Sequence, residues 1–112
     1  MSGFNSIVLM GNLTRTPEMR HTPSGTAVCN FGLAVNRKFS QDGDAKEEVC
    51  YVDVVVFGKL AEIVAQYKAK GDQVLVDGRL QQRQWETDDG QKRSKHEVVA
   101  NQVVFIGGGK AS

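Results

Sequence analysis

The run from Tyr51 to Gly71 (YVDVVVFGKLAEIVAQYKAKG) changes its hydrophobic period partway along, and that change limits the folds open to the chain. From Tyr51 to Phe57 every residue except Asp53 is β-branched or aromatic, which suits a pleated strand. Gly58 breaks the run. Leu60, Ile63, Val64 and Tyr67 then recur at i, i+3, i+4 and i+7. This spacing predicts a short helix with those four against a core and Lys59, Glu62, Gln66 and Lys70 toward water. Lys68 and Lys70 put cations in the predicted last turn, with Gly71 as a left-handed stop. No other stretch carries a convincing helical period.

The remaining segments read as strands. Ser6 to Leu13 is apolar on both faces, with Ile7, Leu9 and Leu13 on one and Val8 and Met10 on the other. Such a strand is either central or pressed against a second subunit. Thr14 to Thr26 holds both prolines and reads as a connection, in which Arg15, Arg20 and His21 are each most simply solvated. Ala27 to Asn36 alternates, turning Cys29, Phe31, Leu33 and Val35 inward. Ser40 to Glu48 is polar, contains Asp42-Gly43-Asp44, and reads as a flexible hairpin loop. Gln73 to Trp85 turns Val74, Val76, Gly78 and Leu80 inward, Thr87-Asp88-Asp89-Gly90 signals a hairpin turn, and Lys92 to Phe105 returns. The pattern predicts an all-β chain of five strands with one helix between the third and fourth, closing into a small barrel.

A chain of 112 residues makes one domain with a modest core, predicted over residues 1–107, with 108–112 as a flexible end. Its net charge of +1 announces no global field for nucleic acid, so any such reading must rest on local arrangement. No apolar run is long enough to span a membrane, and the first residues lack the order of a signal peptide, so a cytoplasmic location is expected. Cys29 and Cys50 form no C-x-x-C pair and are predicted to be two buried thiols filling apolar space. A disulfide is the second reading of them.

Catalytic chemistry is poorly supported. His21 and His96 sit in no nucleophile motif, and Gly107-Gly108-Gly109-Lys110 fails as a phosphate loop because Ala111 follows it with no helix behind. No ligand spacing suggests a metal, and no cofactor is implied. Binding is better supported. Phe31, Phe105 and Tyr67 are assigned to the core, and Phe4 has no clear assignment. Phe39, Tyr51, Phe57 and Trp85 fall where the core is already satisfied, beside Arg37, Lys38, Lys59, Arg79 and Arg83. Any one of these rings could equally sit in a subunit interface or under a loop. Four together, interleaved with cations, suit base stacking along a single strand, with phosphates tracked by Lys and Arg. Asp53 opposes this, since a carboxylate between Tyr51 and Phe57 repels phosphate; it is expected to pair with a cation on a neighbouring strand.

Several blocks resemble the bacterial single-stranded DNA-binding protein family. They are Ile7-Val8-Leu9-Met10-Gly11-Asn12-Leu13 with Pro17-Glu18-Met19-Arg20, Asn30-Phe31-Gly32-Leu33-Ala34-Val35, Val56-Phe57-Gly58-Lys59-Leu60-Ala61-Glu62 and Gly78-Arg79-Leu80. The resemblance spans nearly the whole chain in order. It implies a five-stranded OB-fold Greek-key barrel, a homotetramer assembled partly through the first strand, and coating of single-stranded DNA in replication, recombination and repair near the nucleoid. It places stacking rings at Phe39, Tyr51, Phe57 and Trp85, and phosphate-facing cations at Arg20, Lys59, Lys70 and Arg83. The best-known members carry tryptophan at the first two ring positions, so smaller rings here imply weaker stacking. Members of the family usually continue through a linker to an acidic tip that recruits replication and repair proteins. This sequence stops at Ser112, so such partners are expected only where a full-length protein carries that tail. The competing reading is a primosome-type accessory OB protein acting mainly through protein contacts.

Overall fold

The computed structural model describes residues 3–107; the end predicted as flexible, 108–112, lies outside the described residues. Six strands and one helix follow in the order β1 (Ile7–Leu13), β2 (Glu18–His21), β3 (Ala27–Gln41), β4 (Asp44–Phe57), α1 (Lys59–Tyr67), β5 (Gln73–Glu86) and β6 (Lys92–Phe105). They form one sheet in the order β1-β5-β6-β4-β3-β2, and β1 also pairs with β3 through Asn12↔Ala34 and Leu13↔Leu33. That last pairing closes the five long strands into a barrel and leaves β2 as a flap on the edge of β3. All pairings are antiparallel except the short β4–β6 contact, Val54↔Val98 and Val55↔Val99. A five-stranded barrel with one helix was legible in the sequence; the short strand β2, inside the stretch read as a connection, was not.

Strict alternation builds the interior. Cys29, Phe31 and Leu33 of β3, Val54 and Val56 of β4, Val74 and Val76 of β5 and Val98 of β6 are all fully buried, with Ala61 and Val64 of α1 closing one end. At Gly58 the backbone takes φ +72°, which costs glycine nothing and lets β4 turn into α1 within one residue. The helix sits in a different phase from the predicted one. Its inner stripe is Leu60, Ala61, Val64 and Ala65, and Tyr67 is 62% exposed. Small alanines let the helix lie close to the barrel, which rotates the tyrosine outward. The helix also stops earlier, at Tyr67, with Lys68 as an extended C-cap residue donating to Val64 O; Lys68 and Lys70 are outside it.

Other sequence expectations are corrected in the same way. Ser40 to Glu48 is no loop: β3 and β4 stay paired out to Gln41↔Asp44, with a two-residue turn at Asp42 and Gly43, both at positive φ. Cys50 is exposed on this ribbon, whereas Cys29 is buried. Leu80 is exposed, because it lies beyond the register shift at Asp77/Gly78, where β5 and β6 leave the barrel as a second ribbon. Phe105 is partly open at the barrel end, with Lys68 Nζ 4.3 Å from its ring centre. The two ribbons make the molecule long, 51 × 35 × 35 Å.

Candidate nucleic-acid interface

The pleat of β4 sends Val52, Val54 and Val56 inward and Tyr51, Asp53, Val55 and Phe57 outward. Across on β3 the outward residues opposite Tyr51 and Asp53 are Ala34 and Gly32, too small to cover them. Tyr51 is therefore 73% exposed, and Phe57 at the far end of the row is 47% exposed. On the other side of β4 lie β6 and then β5, whose outward residues include Lys95 and Glu97, and Arg79, Gln81, Arg83 and Trp85. Beyond β3, the flap β2 adds Arg20, which is in register with Val28 and donates to Asn30 Oδ1 at 2.9 Å. Val28, Val55 and Val99 form a small buried cluster on this outer face, so the middle of the face is firm.

Tyr51, Phe57, Arg20, Arg79, Arg83 and Trp85 thus belong to one outer sheet face. Trp85 is 44% exposed, with the Arg83 guanidinium 5.5 Å from its ring centre. It borders a cleft of about 570 Å³ on the β5–β6 ribbon, lined also by Lys92 and Arg93. Lys59 opens α1, two residues after Phe57. Phe39 and Arg37 stand apart from this row. They lie out on the β3–β4 ribbon on the opposite pleat from Ala34 and Tyr51, with the Arg37 guanidinium 4.5 Å from the Phe39 ring centre. Lys38 is exposed on that ribbon, and Lys70 lies in the turn between α1 and β5, which is tied to the end of β1 by Gly71 N donating to Leu13 O.

The carboxylates of the face are compensated. Asp53 accepts from Lys95 Nζ at 2.7 Å and lies 3.7 Å from Arg15. The hydrogen bond from Lys95 is the main reason its carboxyl is held below the usual range; partial burial opposes this, and the charges of Lys95 and Arg15 support it. Glu97 is buried and lies 3.9 Å from Arg83 Nε. On the ribbon, Arg37 pairs with Glu48 at 2.7 Å. The cation partner expected for Asp53 is Lys95 on β6, joined by Arg15 from the connection after β1. From the sequence Arg15 reads as a solvated loop residue and Lys95 as one of several basic residues opening the last strand, neither as a site residue. The only signal for them was that Asp53 needed a partner.

A cleft of about 290 Å³ runs beside Tyr51 and Asp53, with Arg15 above Gly32. A Cβ at Gly32 would collide with the Thr14 hydroxyl and the Arg15 guanidinium, so the position stays bare. Among the described residues no group of three His, Cys, Asp or Glu side chains could hold a metal ion, and no helix is long and apolar enough to cross a membrane.

A closed barrel of five strands with one end-capping helix, and an outer sheet face of open rings set among cations, defines an OB-fold protein. The chain belongs to the single-strand binding protein family, whose model matches residues 4–106. It is 48% identical over 104 residues to the single-stranded DNA-binding protein of Wolinella succinogenes, covering 92% of this chain and 64% of that one. To the single-stranded DNA-binding protein of Helicobacter hepaticus it is 46% identical over 104 residues, covering 92% and 61%. The chain therefore spans less than two thirds of the length of these relatives. A solved Plasmodium falciparum chain, from an SSB complex with ssDNA, shares the fold with a TM-score of 0.86 at 24% identity, over 96% of this chain and 98% of that one.

Proposed function

We propose that this chain binds single-stranded DNA with little regard to sequence and shields it during replication, recombination and repair. The observation that carries this reading is the pair of outward rings on β4, Tyr51 and Phe57, both open to solvent and flanked by Arg20, Lys59 and Arg79. Unpaired bases stack on the rings of Phe39, Tyr51, Phe57 and Trp85, each contributing about 1–3 kcal/mol, while cations follow the phosphates. Arg20, Arg37, Lys38, Lys59, Lys70, Arg79 and Arg83 are the cations in that role. The names of the two bacterial relatives support the same reading, and nothing in the fold favours the accessory-protein alternative.

The chain acts as a binder, not a catalyst, in the bacterial cytoplasm at the nucleoid. It assembles as a homotetramer, a reading supported by the exposed apolar outer face of β1, where Val8 is 58% and Met10 50% exposed beside Leu75 and Val104 on β5 and β6. Titration with poly-dT tests the whole reading. Trp85, the single tryptophan, is expected to be quenched. Affinity is expected to fall as salt rises, and duplex DNA to compete poorly. Unquenched Trp85 with equal affinity for duplex defeats it.

A further inference from the structure

Tyr51 and Phe57 are six residues apart on one strand face, about 20 Å along β4. Between them, two residues past Tyr51 and four before Phe57, stands Asp53, and the same carboxylate holds two cations from elsewhere in the chain, Lys95 of β6 at 2.7 Å and Arg15 at 3.7 Å. None of the three is sequestered: side-chain exposure is 37% for Asp53, 37% for Lys95 and 45% for Arg15. An anion fixed between two stacking rings and bound by two accessible cations occupies the position a bridging phosphate needs. A strand stacked on both rings brings its backbone over this point. Its phosphate oxygens then compete with Asp53 for the same donors.

We propose that Arg15 and Lys95 are phosphodiester-binding residues, and that Asp53 is a built-in counter-anion which the DNA backbone displaces from them. This rests on the single-strand reading above. In the free protein Asp53 keeps both cations oriented and stops them collecting other anions. On binding, the phosphate takes Lys95 and Arg15, and Asp53 turns to solvent and takes up a cation from bulk salt. No covalent bond changes. The exchange has a thermodynamic signature. A phosphate contact to a free cation releases condensed counter-ions, about 0.7 per contact for a single strand. Here the uptake at Asp53 cancels much of that release, so the two contacts add grip with little salt sensitivity.

The test is a double-mutant cycle on the full chain, using a dT oligonucleotide at several salt concentrations. Asp53→Asn is expected to bind about tenfold tighter at low salt, with a slope of log K against log salt steeper by about 0.7–1.4, one or two further phosphates. Lys95→Gln is expected to cost no more than about threefold in the wild type, where the exchange masks it, and about tenfold on the Asp53→Asn background, where it also returns the slope toward wild type. Additive effects of the two changes, or an unaltered slope in Asp53→Asn, overturn the exchange while leaving single-strand binding intact. A wild-type chain that does not bind dT at all overturns the functional reading and this inference with it. Asp53→Ser is run in parallel, and thermal melts of each variant confirm that folded proteins are compared.

Discussion

Glu97 on β6 is 3% exposed, and its carboxylate lies 3.9 Å from Arg83 Nε on β5. A buried carboxylate on a face that is to meet phosphate looks misplaced until its partner is considered. Arg83 lies within ion-pair range of it and at the same time over Trp85, so the guanidinium stands between a buried anion and an indole. Removing Arg83 should therefore harm the fold as well as the face. Arg83→Ala leaves Glu97 uncompensated and is expected to cost about 2 kcal/mol, below the 3–5 of a fully buried pair because Arg83 is half open to water. Arg79→Ala, at an exposed position on the same strand, should stay within about 0.5 kcal/mol. Chemical denaturation measures both, and adding Glu97→Gln to Arg83→Ala should restore much of the loss.

The rings proposed to stack bases differ in how they are held, and that difference sets an order among them. Tyr51 stands opposite Ala34 with nothing to cover it, whereas Phe39 lies on the other pleat, partly covered by Arg37. Tyr51→Ala and Phe57→Ala are each expected to weaken dT binding by about 1–3 kcal/mol. Phe39→Ala should cost less than either. Because Tyr51 is so exposed, its replacement should leave the melting temperature nearly unchanged. Titrations of the three variants at one salt concentration check the order.

The two cysteines make a second contrast. Cys29 is buried in the barrel, and that burial pushes its thiol pKa up, so it is both hard to reach and slow to form a thiolate. Cys50 is open on the β3–β4 ribbon. A thiol reagent is expected to label one cysteine per chain quickly in native buffer and the second only after denaturant is added. Mass mapping should assign the fast site to Cys50.

The barrel was legible because its strands alternate with a period of two and its interior positions are apolar, mostly valine, with Leu33, Phe31 and Cys29 among them. What misled sequence reasoning was local polarity. Ser40 to Glu48 looks like a loop because both sides of a free ribbon are wet, yet its backbone groups pair with each other all the way to the turn. The same wetness exposes Cys50, which a core-centred reading placed inside. Tyr67 fits a helical stripe at i+7, but the close approach of Ala61 and Ala65 turns the stripe away from it. At the face, the open rings Tyr51, Phe57 and Trp85 could be proposed from the sequence, since alternation had already satisfied the core. The pairing of Asp53 with Lys95 could not be assigned, because the two are brought together only by the crossing of β4 past β6, far apart along the chain.

That pairing also has a pH signature. The hydrogen bond from Lys95, aided by Arg15, holds the Asp53 carboxyl below its ordinary 3.8 in the folded chain. A carboxyl lowered on folding adds stability that is complete above the unfolded value and disappears as pH falls through the folded one. The contribution is therefore full at pH 7 and is lost below about pH 4, where Asp53 takes up a proton and releases Lys95. A pair this exposed contributes only about 0.2–1 kcal/mol, so the effect is a few degrees in melting temperature. Asp53→Asn should melt slightly below wild type at pH 7, and the gap should close as pH falls toward 2. Thermal unfolding of both proteins across that range checks the sign. A gap that widens in acid would mean the carboxylate is a net burden on the folded chain and that Lys95 and Arg15 are not its stabilising partners.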